Sequence, residues 1–440
     1  MARGFRGGVR PNDNKTYTGS IPIYELDGAA EHVYLLRQHI GAVMEPIVEI
    51  GERVLVGQRI AEAGPDVPPL FASVSGTVIS VEPRLHPDGA MVGAIVIEND
   101  MKNEVHGGIR SKGELTELSP SDIVKIVYEA GIVGLGGECS PTHIKLSPSK
   151  DKKIDCVIIN GTECEPYLTG SYRLMLESPE LIVLGARAIM RIFGLDKGHI
   201  AIEADKPEAI RAVKTYCAAA NDVKIHKLKT KYPQGSEKHL IYAVTGREIP
   251  RGESPADAGV VVINADTAAA IATAIKTGMP LIRRIVTVAG EAVAKPANFS
   301  VRLGAPLEYL IDKAGGFLAE PTKIIMGGPM RGIAQSCLQV PVIKGTSAVL
   351  AFGESSEQCI QSKAGDDTQC MRCGKCVDVC PMGLMPLYIS LHAQIGNWDL
   401  CERYGAGDCI DCGACSYMCP SRQNPLHNIR IARQEIKLEG

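Results

Sequence analysis

The sequence predicts a multidomain chain of mixed α/β and α+β class. An all-β unit is expected over 1–105, an α/β unit over 115–280, a smaller α+β unit over 281–352 and a cysteine-rich, α-helical unit over 360–440. Three observations carry this. Short β-branched runs punctuated by Gly51 and Gly57 fill the N-terminal part. Apolar strand patterns then alternate with helical periodicity as far as Thr277. The last quarter holds one four-cysteine pattern written twice. At 440 residues a single core is improbable, and about three domains is the length prior.

In the N-terminal unit, Pro46–Ala63, Phe71–Val81 and Ala90–Glu98 read as strands. Their style resembles the barrel-sandwich fold of biotinyl and lipoyl carriers. A carrier needs a lysine at its hairpin tip; here the tip is Ser73-Val-Ser-Gly76, which implies a structural or docking module. Leu118–Ala130 is expected as a helix capped by Ser119 or Ser121. It runs into a Gly-rich stretch holding Gly134, Gly136 and Gly137, then Pro141-Thr-His-Ile-Lys145. Ile154–Ile159 is a buried-strand pattern ending in Asn160-Gly-Thr-Glu163-Cys-Glu165-Pro166.

Further α/β alternation follows: a helix at Leu181–Phe193, a strand at His199–Glu203, a helix at Pro207–Ala218 and a strand at Val223–Lys227. A strand at Gly259–Asn264 and a helix at Thr267–Thr277 complete this unit. Arg284–Gly290 opens the smaller α+β unit, with a helix at Pro306–Ala314 and strands near Lys323, Val340–Ile343 and Ser347–Ala351. Gly353–Asp367 is polar enough for a linker, and Leu384–Gly396 reads as a helix with Trp398 at its junction.

The doubled pattern is Cys370-x2-Cys373-x2-Cys376-x3-Cys380-Pro381 and Cys409-x2-Cys412-x2-Cys415-x3-Cys419-Pro420. Short spacings let one loop place three thiolates on one iron–sulfur cluster, and in two-cluster ferredoxins the fourth Cys of each run ligates the other cluster. Cys370, Cys373, Cys376 and Cys419 are therefore expected on one [4Fe-4S] cluster, and Cys409, Cys412, Cys415 and Cys380 on the second. Structural zinc also uses paired C-x2-C, but two full runs closing in Cys-Pro disfavour it. Cys139, Cys156, Cys164, Cys217, Cys337, Cys359 and Cys401 show no pairing pattern. Cluster ligation needs reduced thiols, which points to the cytosol.

Composition excludes other classes. A net charge of −3 and 5% aromatics give no footprint for nucleic acid or an anionic membrane. Arg3, Arg6 and Arg10 precede no apolar region of the kind a secretory signal has. The most apolar stretch, Ala258–Met279, is cut by Asp266 and Lys276, so a soluble chain without a transmembrane segment is expected.

Gly134, Gly136 and Gly137 let backbone approach an anion or a ring. Gly clusters are more often simple turns, and this one matches neither the dinucleotide fingerprint nor a P-loop. Lys145 can neutralise a phosphate or a reduced flavin, although a lone Lys is usually solvated surface. Asn160, Glu163 and Glu165 at a strand end fit a ligand crevice; an Asx-turn with two exposed acids is an equal alternative.

The order Gly-rich loop with P-T-x-x-K, then N-x-x-E-x-E-P, then a later strand ending in Asn264, is similar to the flavoprotein subunit of complex I. It resembles more closely the RnfC (RsxC) family of ion-translocating ferredoxin:NAD oxidoreductases. Gly8-Gly-Val, Gln38-His-Ile-Gly41, Tyr172-Arg-Leu-Met175, Gly327-Gly-Pro-Met330 and both cysteine runs extend the match along the chain. The resemblance implies a barrel-sandwich domain, a Rossmann-like FMN and NADH domain, a β-grasp (SLBB-like) domain and a two-cluster ferredoxin domain. It implies an FMN site at Gly134, Gly136, Gly137, Lys145, Asn160, Glu163 and Glu165, with Gly235 and Asn264, and catalytic roles for Lys145 and Glu163.

The loop departs from the family's G-G-A-x-F-P-T at Glu138-Cys139-Ser140, which removes an aromatic stacking surface and introduces Cys139 as a candidate redox thiol. Two roles within the family are implied. One is a peripheral component feeding membrane Rnf partners from the cytoplasmic face of the inner membrane. The other is a soluble carrier serving a dedicated reductase, such as proline reductase. A docking scaffold that conducts electrons without a working flavin site is the competing class.

Overall fold

The structure is a computed structural model describing residues 4–149, 151–218, 220–360 and 369–439. Of the expected linker, residues 361–367 lie outside the described residues, as do 368 and 440 of the cysteine-rich unit and Arg3 near the N-terminus.

Two antiparallel sheets form the barrel sandwich. One has Glu31–Leu35, Met91–Asn99, Gly76–Leu85 and Arg53–Val54 in that order; the other has Glu45–Pro46, Arg59–Glu62 and Leu70–Phe71. Alternate residues such as Tyr34, Val54, Ile60, Leu70, Val78 and Ile97 point inward and form one apolar core. The hairpin tip is buried. Ser73 Oγ donates to Leu303 O at 2.6 Å and accepts from Tyr34 Oη at 2.8 Å. The tip is thus seated on a neighbouring unit of the same chain.

The α/β unit is a four-stranded, all-parallel sheet in the order Val223–Leu228, Gly198–Glu203, Cys156–Gly161, Val260–Asn264. Cys156–Gly161 is buried along its whole length, as expected of a parallel strand covered on both faces. Helices Pro179–Ile192 and Ala265–Thr277 pack on it through Ile182, Ala186, Ile189, Ala268 and Ile271. Helix Pro120–Glu129 starts at Ser119, whose side chain accepts from Asp122 N while Asp122 accepts from Ser119 N. This reciprocal cap satisfies two otherwise free amides.

The third unit is a six-stranded mixed sheet: Ile23–Glu25, Ala297–Arg302, Arg283–Ala289, Ala348–Phe352, Lys323–Met326 and Ile333–Gln335. Its edge strand Ile23–Glu25 comes from the N-terminal segment and pairs in parallel with Ala297–Arg302. Val340–Ile343, expected as a strand, is irregular. It makes the single bridge Pro306–Pro341, and its backbone bonds go to the turn before helix Leu307–Lys313, including Val342 N to Ala305 O at 2.8 Å.

The C-terminal unit is helical. Pro386–Gln394 packs on Pro425–Glu439 through Ile389, Ala393, Ile429 and Ala432, with Trp398 half-buried at the junction. No helix among the described residues is long and apolar enough to cross a membrane.

Candidate flavin and iron–sulfur site

Strand order in the parallel sheet reverses between Cys156–Gly161 and Val260–Asn264, and a crevice forms outside the carboxyl ends of such a pair, where the connections that follow leave in opposite directions. Asn160 and Asn264 are register partners at its mouth. The Gly-rich loop lies across it. A Cβ on Gly136 would stand 2.4 Å from Asn264 Nδ2, so an added methyl would force the Asn264 amide or the loop to shift. Asn160 Nδ2 donates to Gly235 O at 2.9 Å. Gly136, Asn160, Gly235 and Asn264 thus meet, although they lie on four separate segments. Gly137, at φ 96°, has no atom near the direction a side chain would take and presents its backbone to open space.

Gly134 holds the loop closed: its N–H donates to Ser140 O at 2.8 Å. Leu135 N donates to Thr267 Oγ1 at 2.9 Å, and Leu135 O accepts from the buried Arg284 guanidinium at 2.9 Å. Cys139 takes a left-handed φ of 51° and packs its sulfur against Gly345. Burial pushes its thiol pKa up, opposed by Arg284 and Lys344, so the thiol is kept protonated rather than activated. Lys145 pairs with Glu237 at the start of helix Glu237–Thr245. Burial raises the Glu237 carboxyl; Lys145 opposes the rise and Glu138 adds to it, so these three charges face one another.

The Asx-turn expected at Asn160 forms: Asn160 Oδ1 accepts from Thr162 N at 3.1 Å. The acids after it are not exposed. Glu163 is buried, with Oε1 accepting from Ser171 N at 2.8 Å and Oε2 left without a hydrogen-bond partner. Lys15 Nζ stands 3.7 Å away. Burial raises the Glu163 pKa to about 7 against the opposing pull of Lys15 and Lys206. Lys206 is itself paired with Glu203 at 2.7 Å.

Glu165 is raised to about 7 as well, by burial, with Met330 N, Arg331, Tyr232 and Lys15 opposing. Its Oε2 accepts from Met330 N at 3.2 Å, and a Cβ on Gly328 would lie 2.3 Å from the same oxygen. That contact explains why Gly327-Gly-Pro-Met330 carries a glycine there. Glu165 Oε1 lies 3.4 Å from Tyr232 Oη, which donates to Cys412 O at 2.6 Å.

The cysteines fall into two sets. Cys370, Cys373, Cys376 and Cys419 line one cavity together with Leu387 and Ser390. Around Cys415 stand Cys412, Cys409 and Cys380, which raise its pKa further after burial has done so. Burial likewise raises Cys409 to about 12 and Cys412 to about 11. Each set therefore takes its fourth cysteine from the other run. The two runs also share backbone geometry. Arg372 and Asp411 have φ of 54° and 53°, and Gly374 and Gly413 have 77° and 75°. Among the described residues no three His, Cys, Asp or Glu side chains converge on a point suited to one ion; the cysteines ring spaces instead.

Four family models match the chain in order. These are the RnfC barrel sandwich hybrid domain over residues 3–102, the Nuo51 FMN-binding domain over 127–273, the SLBB domain over 285–334 and the 4Fe-4S dicluster domain over 369–423. The C subunit of the Na(+)-translocating ferredoxin:NAD(+) oxidoreductase complex of Acetobacterium woodii is 44% identical over 98% of this chain and 97% of its own length. The chain belongs to the RnfC family. The C subunit of the proton-translocating ferredoxin:NAD(+) oxidoreductase complex of Clostridium ljungdahlii is also 44% identical, over 90% of this chain and 85% of its own. The C subunit of the ion-translocating oxidoreductase complex of Rhodobacter capsulatus is 39% identical over 91% and 77%. An NAD+-reducing [NiFe]-hydrogenase shares the fold at a TM-score of 0.53 and 18% identity, with 74% of this chain matched to 63% of that one.

This RnfC-family chain thus carries an FMN-binding domain and a 4Fe-4S dicluster domain, and its own atoms fit both groups. For the flavin, Gly136 and Gly137 leave backbone open at the crevice, and Glu163 Oε2 is a buried acceptor without a donor. Asp266 Oδ1, close by through Ser171, is a second. For the clusters, buried thiols resist ionisation until positive iron offsets the lost hydration. Lys15, Lys206, Tyr232, Arg331 and Glu237 had no signal in the sequence, since each reaches the site from a distant or unremarkable stretch.

Proposed function

We propose that this RnfC-family protein carries electrons between NADH and a redox partner protein through FMN and two [4Fe-4S] clusters. FMN, when bound, supplies exchange between a two-electron donor and one-electron carriers. The chain's residues provide the rest. Gly136, Asn160, Gly235 and Asn264 form the cradle. Lys145 and Glu237 balance charge at its edge. Glu163 and Glu165, whose carboxyls burial raises to about 7, would hold or release a proton near neutral pH at the strand end. The observation that carries this reading is the contact chain Glu165–Tyr232–Cys412, which joins the strand-end crevice to one cysteine set by direct contact.

Full-length similarity to the C subunits of ferredoxin:NAD(+) oxidoreductase complexes supports membrane Rnf subunits as partners, with this chain peripheral on the cytoplasmic side. Cys370, Cys373, Cys376 and Cys419 would ligate the cluster nearer the partner, because Cys373 is exposed while Cys412 and Cys415 are buried. The test is anaerobic purification and reconstitution. About one FMN and about eight iron atoms per chain are expected. Loss of all flavin binding with iron intact would leave only a conducting scaffold.

A further inference from the structure

A concave surface lies beside the backbone of Val379 and Cys380 and the turn at 231–234. The N-terminal segment folds back on residues 229–234 and closes a cavity of about 350 Å³. Val9 and Tyr232 exchange both backbone hydrogen bonds at 2.9 Å, and Gly8 N donates to Val379 O at 2.7 Å. Gly7 and Gly8 have φ of 71° and 72°, and a Cβ on either would meet a carbonyl, of Cys380 or Tyr232, within 2.6 Å. The wall of this cavity is therefore backbone held in a fixed course.

Arg10, Lys229, Lys231 and Gln234 converge on it. Lys231 is anchored: its Nζ donates to Phe5 O at 2.9 Å and sits 4.3 Å above the Phe5 ring. Burial, Arg10 and Lys229 all act on Lys231 in the same direction, lowering its pKa, and no carboxylate opposes them. Gln234 is 1% exposed, yet its Nε2 has no hydrogen-bond partner. A buried amide donor left unpaired costs free energy, and so do three like charges gathered without a counterion.

Among the described residues Arg10, Lys229 and Lys231 form no ion pair, so the cavity carries three cations and no carboxylate. We propose that this cavity binds the phosphate or diphosphate group of a small molecule. A phosphate offers enough oxygens to serve Arg10, Lys229 and Lys231 together, which chloride cannot do. The inference stands independently of the electron relay.

The test is calorimetric titration of the flavin- and cluster-loaded protein with inorganic pyrophosphate, and separately with ADP, at low ionic strength. Saturable binding of either is expected. It should be weakened about tenfold or more in Lys229→Gln and in Arg10→Gln, since each removes one of three converging charges. The exposed Lys125→Gln serves as control and should bind as the parent does. Pyrophosphate binding as tightly as ADP assigns a free inorganic ligand; tighter ADP assigns a nucleotide. Absence of saturable binding for both, or equal affinity in Lys229→Gln, Arg10→Gln and the parent, would overturn the proposal.

Discussion

The phenol of Tyr232 donates a 2.6 Å hydrogen bond to the backbone carbonyl of Cys412, and the same oxygen lies 3.4 Å from the Glu165 carboxyl. Tyr232 is 2% exposed and comes from the turn before helix Glu237–Thr245, so a residue of the parallel-sheet unit touches a cysteine of the C-terminal unit. The phenol has one proton, committed to Cys412. Burial raises the Glu165 carboxyl to about 7, and the Tyr232 contact opposes that rise.

Tyr232→Phe should therefore act on one cluster only. Losing a donor beside the Cys412 set makes that environment more electron-rich, so its reduction potential should fall by roughly 20–60 mV. Stability should drop by about 1 kcal/mol, because Cys412 O loses its partner. Potentiometric EPR titration resolves the two clusters. An equal shift in both, or none, would detach Tyr232 from the Cys412 set.

Glu163 makes stability depend on pH. Its pKa rises from an ordinary 4.5 to about 7 on folding. Below pH 4.5 the carboxyl holds its proton in folded and unfolded chains alike. From there to about 7 the unfolded chain releases the proton while the folded chain keeps it, so this contribution is lost as pH rises through that window. The thermal midpoint should fall between pH 5 and 8. Glu163→Gln, which can still accept from Ser171 N, should flatten the fall; parallel profiles for the two proteins would show that Glu163 does not titrate there.

The cysteine runs were legible because their cysteines lie within a few residues of one another, and the grouping of each run's fourth cysteine with the other run follows from that spacing. The crevice was partly legible: Asn160 and Glu163 end an unmistakable apolar strand. Burial of Glu163 and Glu165 was not, since an acidic loop ordinarily faces water. It is enforced by Lys15 and by the backbone at Met330, which only the folded chain brings near. Ile23–Glu25 is a similar case. A three-residue strand whose neighbour lies at Ala297–Arg302 leaves no local pattern to read.

Gly136→Ala tests the cradle by steric means alone. The added methyl would stand 2.4–2.6 Å from the Asn264 side-chain amide, a clash worth about 1–3 kcal/mol if the loop yields. Flavin content after reconstitution should fall sharply while iron content holds. Retained flavin would place the binding loop elsewhere.

Cys373→Ser should remove about half the iron, because its set is separate from the one around Cys415. Flavin content should not change. Loss of all iron would mean that the two sets assemble as one unit.

The most direct measurement is stopped-flow absorbance of the reconstituted protein mixed anaerobically with NADH, followed by freeze-quench EPR. The proposed relay predicts that flavin absorbance bleaches first and cluster signals follow. In Cys373→Ser the bleaching rate should be kept while one cluster signal is missing. Clusters reduced without prior bleaching, or flavin-loaded protein that NADH leaves oxidised, would contradict it.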